Sequence, residues 1–592
     1  MENIYSQRLE MLRTLMRTKA WDAVVITGSD PHSSEYPALR WKQVEWLCGF
    51  TGEAGDLVVT LDHAGLWTDT RYFIQARRQL DGTGVELHKT RVPDQVLIPE
   101  WLQQQFGDEG LIAVDGLCVS AEWAASLPGT VISVPDMLGV FWQDRPQIPQ
   151  TPVFTVDCGQ TRASKFEWLR SFLADNKASG ILLSSLDEIA WMLNVRASDI
   201  EYNPLIISYL LVTLDKAVWF VEKDGAIDES SAACFSILEA EGIGIAAYGD
   251  TEFRLAELLD EGRLLVDPGS LNFSIYRSLI ASGVELEECT SPVGMRKAVK
   301  NEYEIEAMRR IHLKDGAAME KFLYWLEKSV KAGRQISEWD AAVKLGQYRA
   351  EIEEYRGDSF ETISAYGPGA ALPHYVTPRE NSPLLEEEGL YLCDSGGQYT
   401  LGTTDITRTV PLGVCSRLEK EDYTLVLKGH IDLAMAVFPE GTPGCRIDAL
   451  AREPLWKSKR NFGHGTGHGI GFFLGVHEGP QDVRQNLNPV PLKAGMIISD
   501  EPGIYREGSH GVRHENLVLC TEAGENEFGR WLCFETLTLC HFDKDAIIPE
   551  LLGKEEIEWL NSYHEKVYRS LSPLLPEEVA EWLRDKTAPL EY

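Results

Sequence analysis

The sequence predicts a mixed α/β (α+β) protein in which two similar α/β modules precede a third, strand-rich part. Three observations lead to that reading. Residues 1 to about 150 alternate helical and strand patterns, and residues 155 to 292 repeat the same order at nearly the same size. After residue 293 a long amphipathic helix opens a region in which β-prone runs dominate. In that region Asp394 and Asp405 stand in strands where Val or Ile is the ordinary choice.

A chain of 592 residues exceeds one hydrophobic core, and length alone allows about four domains at ~150 residues each. A content of 44% hydrophobic and 25% charged residues describes a soluble globular protein. The longest apolar run, Leu205–Leu214, is broken by Ser208 and Tyr209 and ends at Asp215, too short to span a membrane. The N-terminal run MENIYSQRLEMLRTLMR lacks a signal peptide's apolar core and reads as an amphipathic first helix. Eleven cysteines, without a C-x-x-C, sit mostly in apolar contexts such as Cys48, Cys393 and Cys520. Reduced thiols in a cytoplasmic protein fit that usage better than a disulfide framework. With 91 Asp+Glu against 56 Lys+Arg the net charge is −35. A surface of that sign repels nucleic acid and anionic membranes, so neither is expected as a partner.

In the first module, residues 1–153, Ala23–Gly28 and Gly110–Val114 read as short buried strands, and Val58–Leu61 leads into Leu66–Asp69. Tyr72–Leu80 and Pro99–Phe106 read as helices, and the Pro-rich stretch Arg145–Pro152 as a linker. The second module, 154–292, has a helix at Ser164–Asn176, a strand at Gly180–Ser184, a helix at Glu188–Val195 and strands at Leu205–Leu214 and Val218–Glu222. Shared order and size suggest a duplicated unit, closed by Ser291-Pro292. In the third part, 293–592, Ile305, Met308, Ile311, Met319, Phe322, Leu323 and Leu326 recur at helical spacing. A second helix covers Ser337–Tyr348; strands then run to about residue 541, with helices at Glu421–Ala436 and Asp448–Trp456. The tail Leu551–Tyr592 is helical, with Trp559, Leu560 and Trp582 on apolar faces.

The stretch Tyr391–Val410, YLCDSGGQYTLGTTDITRTV, has the form of a β-hairpin with Asp394 and Asp405 in its two arms. Two buried carboxylates on adjacent strands repel each other and lose hydration, so they demand a cation, a partner or a proton. Downstream come the Gly-His-rich loop Gly463–Gly471, then Asp500-Glu501-Pro502-Gly503, then Arg513-His514-Glu515-Asn516. Asp394, Asp405, His468, Glu501 and Glu515 together offer four oxygen donors and one imidazole. That set suits manganese, cobalt or iron(II) better than a thiolate zinc site. Five protein ligands crowd a single ion that must also hold water and substrate, so two divalent ions fit better, a design used for hydrolysis. Singly, each feature has an ordinary reading: turn aspartates, solvated histidines His464 and His468 in a flexible loop, an exposed Glu501 before a Pro-Gly turn. GHGTGHGIG lacks the Lys-Ser/Thr of a phosphate loop.

The run GHGTGHGIGFFLGVHEGP (Gly463–Pro480), with SDEPGIY, GVRHEN and DSGGQYTLGTTDITRT, resembles the metal-dependent peptidases of the pita-bread fold. Within them it is most similar to the three-domain, cytosolic Xaa-Pro aminopeptidase (aminopeptidase P) type. SEYPALRW, FTGEAG and WTDTRYFIQA in the first part extend the resemblance, as do LDEIAWMLNVRASDIEYNP in the second and EEIEWLNSYH in the third. It implies two creatinase-type α/β domains before a pita-bread catalytic domain. It also implies that Asp394 holds one ion, that His468 and Glu501 hold the other, and that Asp405 and Glu515 bridge them. The ions would be manganese, with cobalt, iron(II) or zinc as substitutes. His374 (in LPHY) and His477 (in VHEGP) would lie beside the scissile bond, Arg71 (in TDTRYF) would reach toward the substrate, and His464 and Arg513 would orient ligands. From the residues alone, His374 reads as a strand-end histidine and Arg71 as a surface arginine at a helix start. His514 stands where an aliphatic residue is usual; strand alternation would turn it away from Glu515, leaving the site intact. Aromatic residues near Phe472 and Phe473 are candidates for a proline pocket, with core packing the stronger reading.

The activity implied is release of an N-terminal residue when proline is second, by attack of a hydroxide bridging two metal ions, with Glu501 passing the proton to the proline nitrogen. A homodimer acting on peptides is implied as well. A prolidase, which cleaves only Xaa-Pro dipeptides, is usually shorter and two-domain. A non-catalytic relative on the same fold would have lost metal ligands, and here all five are present.

Overall fold

The computed structural model describes residues 3–222, 228–259 and 262–591. The chain divides into two compact units, Met1–Val293 and Gly294–Tyr592.

The first unit is built on two six-stranded sheets. Strands β1 (Ala23–Ile26), β2 (Asp56–Thr60), β3 (Ala64–Thr68), β4 (Glu86–Lys89), β5 (Leu111–Val114) and β6 (Thr130–Ser133) lie in the order β4-β3-β2-β1-β5-β6. Strands β7 (Gly180–Leu183), β8 (Ser208–Thr213), β9 (Ala217–Val221), β10 (Gly244–Ala246), β11 (Arg263–Val266) and β12 (Glu285–Glu288) lie in the order β10-β9-β8-β7-β11-β12. The two sheets have one topology. In each, the first strand pairs antiparallel with the second and the second with the third, and the outer pairings are parallel. The duplication expected from element order is therefore present in strand order and in strand direction. The amphipathic first helix, Ile4–Lys19, is capped by the Asn3 side chain and buries Leu9, Leu12 and Met16 against Val24, Ile26 and Leu57.

The expected strand Leu205–Leu214 begins later, at Ser208. The amide of Ile207 donates to the Asp199 carboxylate at 3.0 Å instead of to a neighbouring strand, a side-chain bond that competes with the ladder.

In the second unit the long helix Glu302–Lys331 starts at a capping box: Asn301 accepts from the Glu304 amide, and the Glu304 carboxylate accepts from the Asn301 amide. Its Met319, Phe322, Leu323 and Leu326 pack in one core with Tyr391, Cys393 and Ile406. Strands β13 (Ile363–Tyr366), β14 (Leu390–Ser395) and β15 (Ile406–Pro411) form an antiparallel sheet with β14 in the middle. The hairpin expected over Tyr391–Val410 is β14 and β15, in which those two end residues face each other. A second antiparallel sheet contains β16 (Ile497–Asp500), β19 (Asn516–Asn526) and β20 (Gly529–Thr536). Between them in sequence, β17 (Gly503–Arg506) and β18 (His510–Arg513) make a hairpin. The tail helices Lys554–Leu571 and Glu577–Lys586 bury Leu560 and Trp582 in the same core as the long helix, with Trp559 packed against it. All eleven cysteines are free thiols.

Candidate metal centre

The hairpin carries the first two carboxylates. Asp394, near the end of the central strand β14, faces Thr407 across the pairing and is 8% exposed. Asp405 lies one residue before β15 and is 3% exposed. Gly396 allows this close approach, because a Cβ there would meet the Thr404 carbonyl oxygen at 2.0 Å.

The other three residues arrive from separate elements. His468 ends the two-residue strand Gly467–His468, where its amide donates to Ser499 Oγ at 3.0 Å. Its Nδ1 donates to the Gly469 carbonyl at 3.0 Å, which leaves Nε2 to face the carboxylates. That nitrogen is 3.3 Å from Glu501 Oε1 and 3.5 Å from Asp405 Oδ2. Glu501 follows β16 directly, its amide bonded to the Thr466 carbonyl at 2.8 Å. Glu515 sits in the short link between β18 and β19, where Thr407 Oγ1 donates to its carboxylate at 2.8 Å. Its neighbour His514 shares that link, so strand alternation does not separate them. The His514 ring packs instead on Tyr423 and Phe542, with centroids at 4.4 and 5.4 Å.

Three overlapping groups of donor atoms result, each with its atoms within 4.8 Å of one another: Asp394, Asp405 and Glu515; His468, Glu501 and Glu515; and Asp405, His468 and His477. Asp405, His468 and Glu515 each belong to two groups.

A chain of hydrogen bonds backs this cluster. Arg513, 3% exposed, donates to Asp394 Oδ2 at 2.5 Å and to the Tyr505 hydroxyl at 2.7 Å. His464 Nδ1 donates to the Gly465 carbonyl at 2.7 Å, so its Nε2 accepts from the Tyr505 hydroxyl at 2.7 Å. Burial pushes His464 down to about 4, keeping it neutral and able to accept. Arg513 also donates to the Pro373 carbonyl at 3.4 Å, which brings the turn of His374 beside the cluster. His477 stacks edge-on against His468, with ring centroids 4.2 Å apart. The next residue, Glu478, is fixed by two buried lysines, Lys297 at 2.9 Å and Lys300 at 3.3 Å. Arg71 belongs to the first unit, at the turn before the helix Phe73–Gln79, where Asp69 grips it through Nε and one terminal nitrogen at 2.9 and 2.8 Å. Phe472 and Phe473 are 2% and 1% exposed, a core placement.

The electrostatics ask for cations. Burial raises Asp405 well above the usual carboxylate range, and the charges of Asp394 and Glu501 add to it. Glu515 is raised in the same way, by burial and then by Asp405, Glu501 and Asp394. Burial also pushes Glu501 up, but His468 foremost, with His464 and Arg513, outweighs it and holds the group at about 2. Asp394 Oδ1 and Glu515 Oε1 are buried without a hydrogen-bond partner among the described residues. Unpaired buried carboxylate oxygens are costly unless a positive charge meets them. Hard oxygens with one imidazole, turned on one another in a largely buried cluster, fit divalent cations.

Comparison with known proteins decides the family. Residues 306–522 match the model of metallopeptidase family M24, and 530–590 that of the C-terminal region of peptidase M24. Residues 8–145 and 144–304 each match a creatinase/prolidase N-terminal domain. The probable Xaa-Pro aminopeptidase P of Laccaria bicolor is 38% identical, covering 99% of this chain and 94% of that protein. The aminopeptidase P1 of Arabidopsis thaliana is 36% identical over 99% of each. The chain belongs to the Xaa-Pro aminopeptidase P family. A member of this family with a crystal structure, the X-prolyl aminopeptidase of Caenorhabditis elegans, is described as a cytosolic enzyme with a dinuclear active site. It superposes with a TM-score of 0.94 at 34% identity, covering 99% of this chain and 100% of that one. An Xaa-Pro dipeptidase from Bacillus anthracis shares the fold over 64% of the chain, with a TM-score of 0.51. The family fixes the fold class as two creatinase-type domains before a pita-bread catalytic domain, and the chemistry as that of a metallopeptidase, a hydrolase.

Four contributors escaped the reading of the sequence. Tyr505 lies inside SDEPGIY and joins Arg513 to His464. Arg408, inside TDITRT, is fully buried and donates to the Glu515 carbonyl at 2.6 Å. Lys297 and Lys300 lie in a stretch without any motif. No helix among the described residues is long and apolar enough to cross a membrane.

Proposed function

We propose that this enzyme releases the N-terminal residue from peptides with proline in the second position, using two divalent metal ions. The observation that carries it is the convergence of Asp394, Asp405, His468, Glu501 and Glu515 on one buried pocket with two orphaned carboxylate oxygens. Asp394 would hold one ion, His468 and Glu501 the other, and Asp405 and Glu515, which share donor groups with both sets, would serve both. When bound, the ions acidify water and polarise the scissile carbonyl. Manganese is the ion assigned, because the donors are mostly carboxylates.

The protein's own groups do the rest. Arg513 anchors Asp394 and, through Tyr505, holds His464 in one tautomer. His374 and His477 donate to the substrate carbonyl and to the charge that develops on it. Glu501 carries the proton that must reach the proline nitrogen, which lacks an N–H of its own once in a peptide bond. Arg71 contacts the substrate. We further assign the division of the chain into parts 1–153, 154–292 and 293–592, a cytosolic location and a homodimer.

The test is kcat/KM of the metal-reconstituted protein on an Xaa-Pro-Xaa tripeptide, an Xaa-Pro dipeptide and a proline-free tripeptide. Tripeptide turnover at least equal to that of the dipeptide, with the control untouched, is the expected result. Cleavage of dipeptides alone makes the enzyme a prolidase, and no cleavage at all makes it a non-catalytic member of the fold.

A further inference from the structure

A second set of metal donors lies in the first unit, on the edge of the first sheet. His63 closes the turn between β2 and β3, held there by its amide on Thr60 Oγ1 at 3.0 Å and by its carbonyl accepting from the Thr60 amide at 2.8 Å. Glu86 and His88 are two residues apart on β4, the edge strand, and so project to the same face. The Nε2 atoms of His63 and His88 face each other at 3.2 Å, and the Glu86 carboxylate comes within 3.5 Å of the His63 ring. Donor atoms of all three residues lie within 4.8 Å of one another.

The pair is built rather than casual. The His88 ring stacks on Trp67 at 3.8 Å with the planes 7° apart, and Trp67 is itself fixed by its indole N–H on the Val96 carbonyl at 2.8 Å. His88 lies across Gly65, where a Cβ would meet its Nε2 at 2.7 Å. Only a residue without a side chain leaves that ring position open. Trp101 supports His63 from beside, with ring centroids 5.0 Å apart. Two nitrogens of a tetrahedral ion with bonds of about 2.0–2.1 Å lie about 3.3 Å apart, close to the separation seen.

We propose that His63, Glu86 and His88 form a binding site for a borderline divalent transition ion of the zinc, nickel or copper(II) class. Two imidazoles and one carboxylate leave a coordination position open to water, which suits such ions better than manganese or magnesium. Glu86 is largely exposed, with 75% of its side chain accessible, so an ion can enter from solvent. Once filled, the site ties the β2–β3 turn to the unpaired edge of β4 and covers part of that edge.

The experiment is equilibrium dialysis of the holoenzyme, its catalytic ions loaded, against micromolar Zn2+, with elemental analysis per chain. The wild type is expected to hold one ion more than His63→Ala or His88→Ala. Glu86→Gln should weaken uptake by about tenfold or more, since even outer partners of metal ligands are worth roughly 10–100-fold. Peptidase activity should be unchanged in all three. His63 and Glu86 lie at the solvent side, so His63→Gln and Glu86→Gln carry the test alone should His88→Ala fail to fold. Equal zinc content in the wild type and the folded variants would overturn the proposal and leave the two histidines sharing a proton.

Discussion

Arg408 offers the sharpest test of how the centre is held. Its guanidinium is fully buried and meets no carboxylate among the described residues. It donates to the carbonyls of His541 at 3.0 Å, Thr407 at 3.0 Å, Glu515 at 2.6 Å and Cys540 at 2.7 Å, and to the Asn516 side chain at 2.7 Å. Arg408→Met keeps most of the volume and removes every donor. Thr407 O still accepts from the Glu515 amide, and Cys540 O from the Tyr563 hydroxyl. Glu515 O and His541 O lose the donor that reaches them. At about 1–3 kcal/mol for each buried group left unpaired, the loss is roughly 2–6 kcal/mol. Urea unfolding of the metal-stripped and metal-loaded forms, followed by tryptophan fluorescence, measures it. Because Glu515 is the residue released, metal affinity should fall together with stability. Arg408→Lys should not rescue, since one ammonium cannot span carbonyls arranged around a planar fork. A loss below about 1 kcal/mol in Arg408→Met, or full rescue by lysine, would refute the argument.

Asp405→Ala should lower activity by at least about 100-fold and reduce bound metal, since it strips a donor from both groups; two ions per chain with normal activity would contradict the assignment. His374→Ala and His477→Ala should each lower kcat by roughly 10²–10³ with metal content unchanged; loss of metal in His477→Ala would instead make it a ligand, as its place beside Asp405 and His468 permits. Arg71→Ala should impair peptide cleavage with both ions retained, and wild-type kinetics would remove Arg71 from substrate binding. In the metal-stripped enzyme Asp405 and Glu515 keep their protons to higher pH folded than unfolded. The folded state then binds more protons, so their contribution is full below about pH 4 and is lost as pH rises through the raised values. Glu501, held at about 2, has the opposite sign: its contribution is present above about pH 4.5 and fades as pH falls toward 2. Thermal melts of stripped protein should therefore fall as pH rises above the ordinary carboxylate range and recover on adding Mn2+; a flat profile would count against the buried carboxylate pair.

The elements whose signal is local were legible in the sequence. The long helix announces itself through its apolar spacing, and the hairpin through two strand-like runs carrying aspartates. Asp394 and Asp405 stood out as candidates because acidic groups in strand-like apolar runs contradict their surroundings. Tyr505 did not, since a tyrosine in a strand is ordinary and only the fold shows its hydroxyl between Arg513 and His464. Arg408 was hidden for a similar reason: nothing in its neighbours says that its partners lie more than 100 residues away, at Glu515 and His541. The mistaken start of the strand at Leu205 shows the converse, where an apolar run continues but one carboxylate, Asp199, captures the amide.

The clasp of Lys297 and Lys300 on Glu478 bears on where the catalytic half of this protein begins. The contact joins residues 178 apart, from the lead-in before the long helix to the loop that carries His477. Both lysines and the glutamate are 1–2% accessible, so none can fall back on water. A fragment cut at Glu302, a tidy helix start, would bury the glutamate's charge without its counterions, a fault that costs about 3–5 kcal/mol. A fragment starting at Gly294 would keep both. The segment that reads as a mere connector thus belongs, in folding, to the half of the chain it leads into.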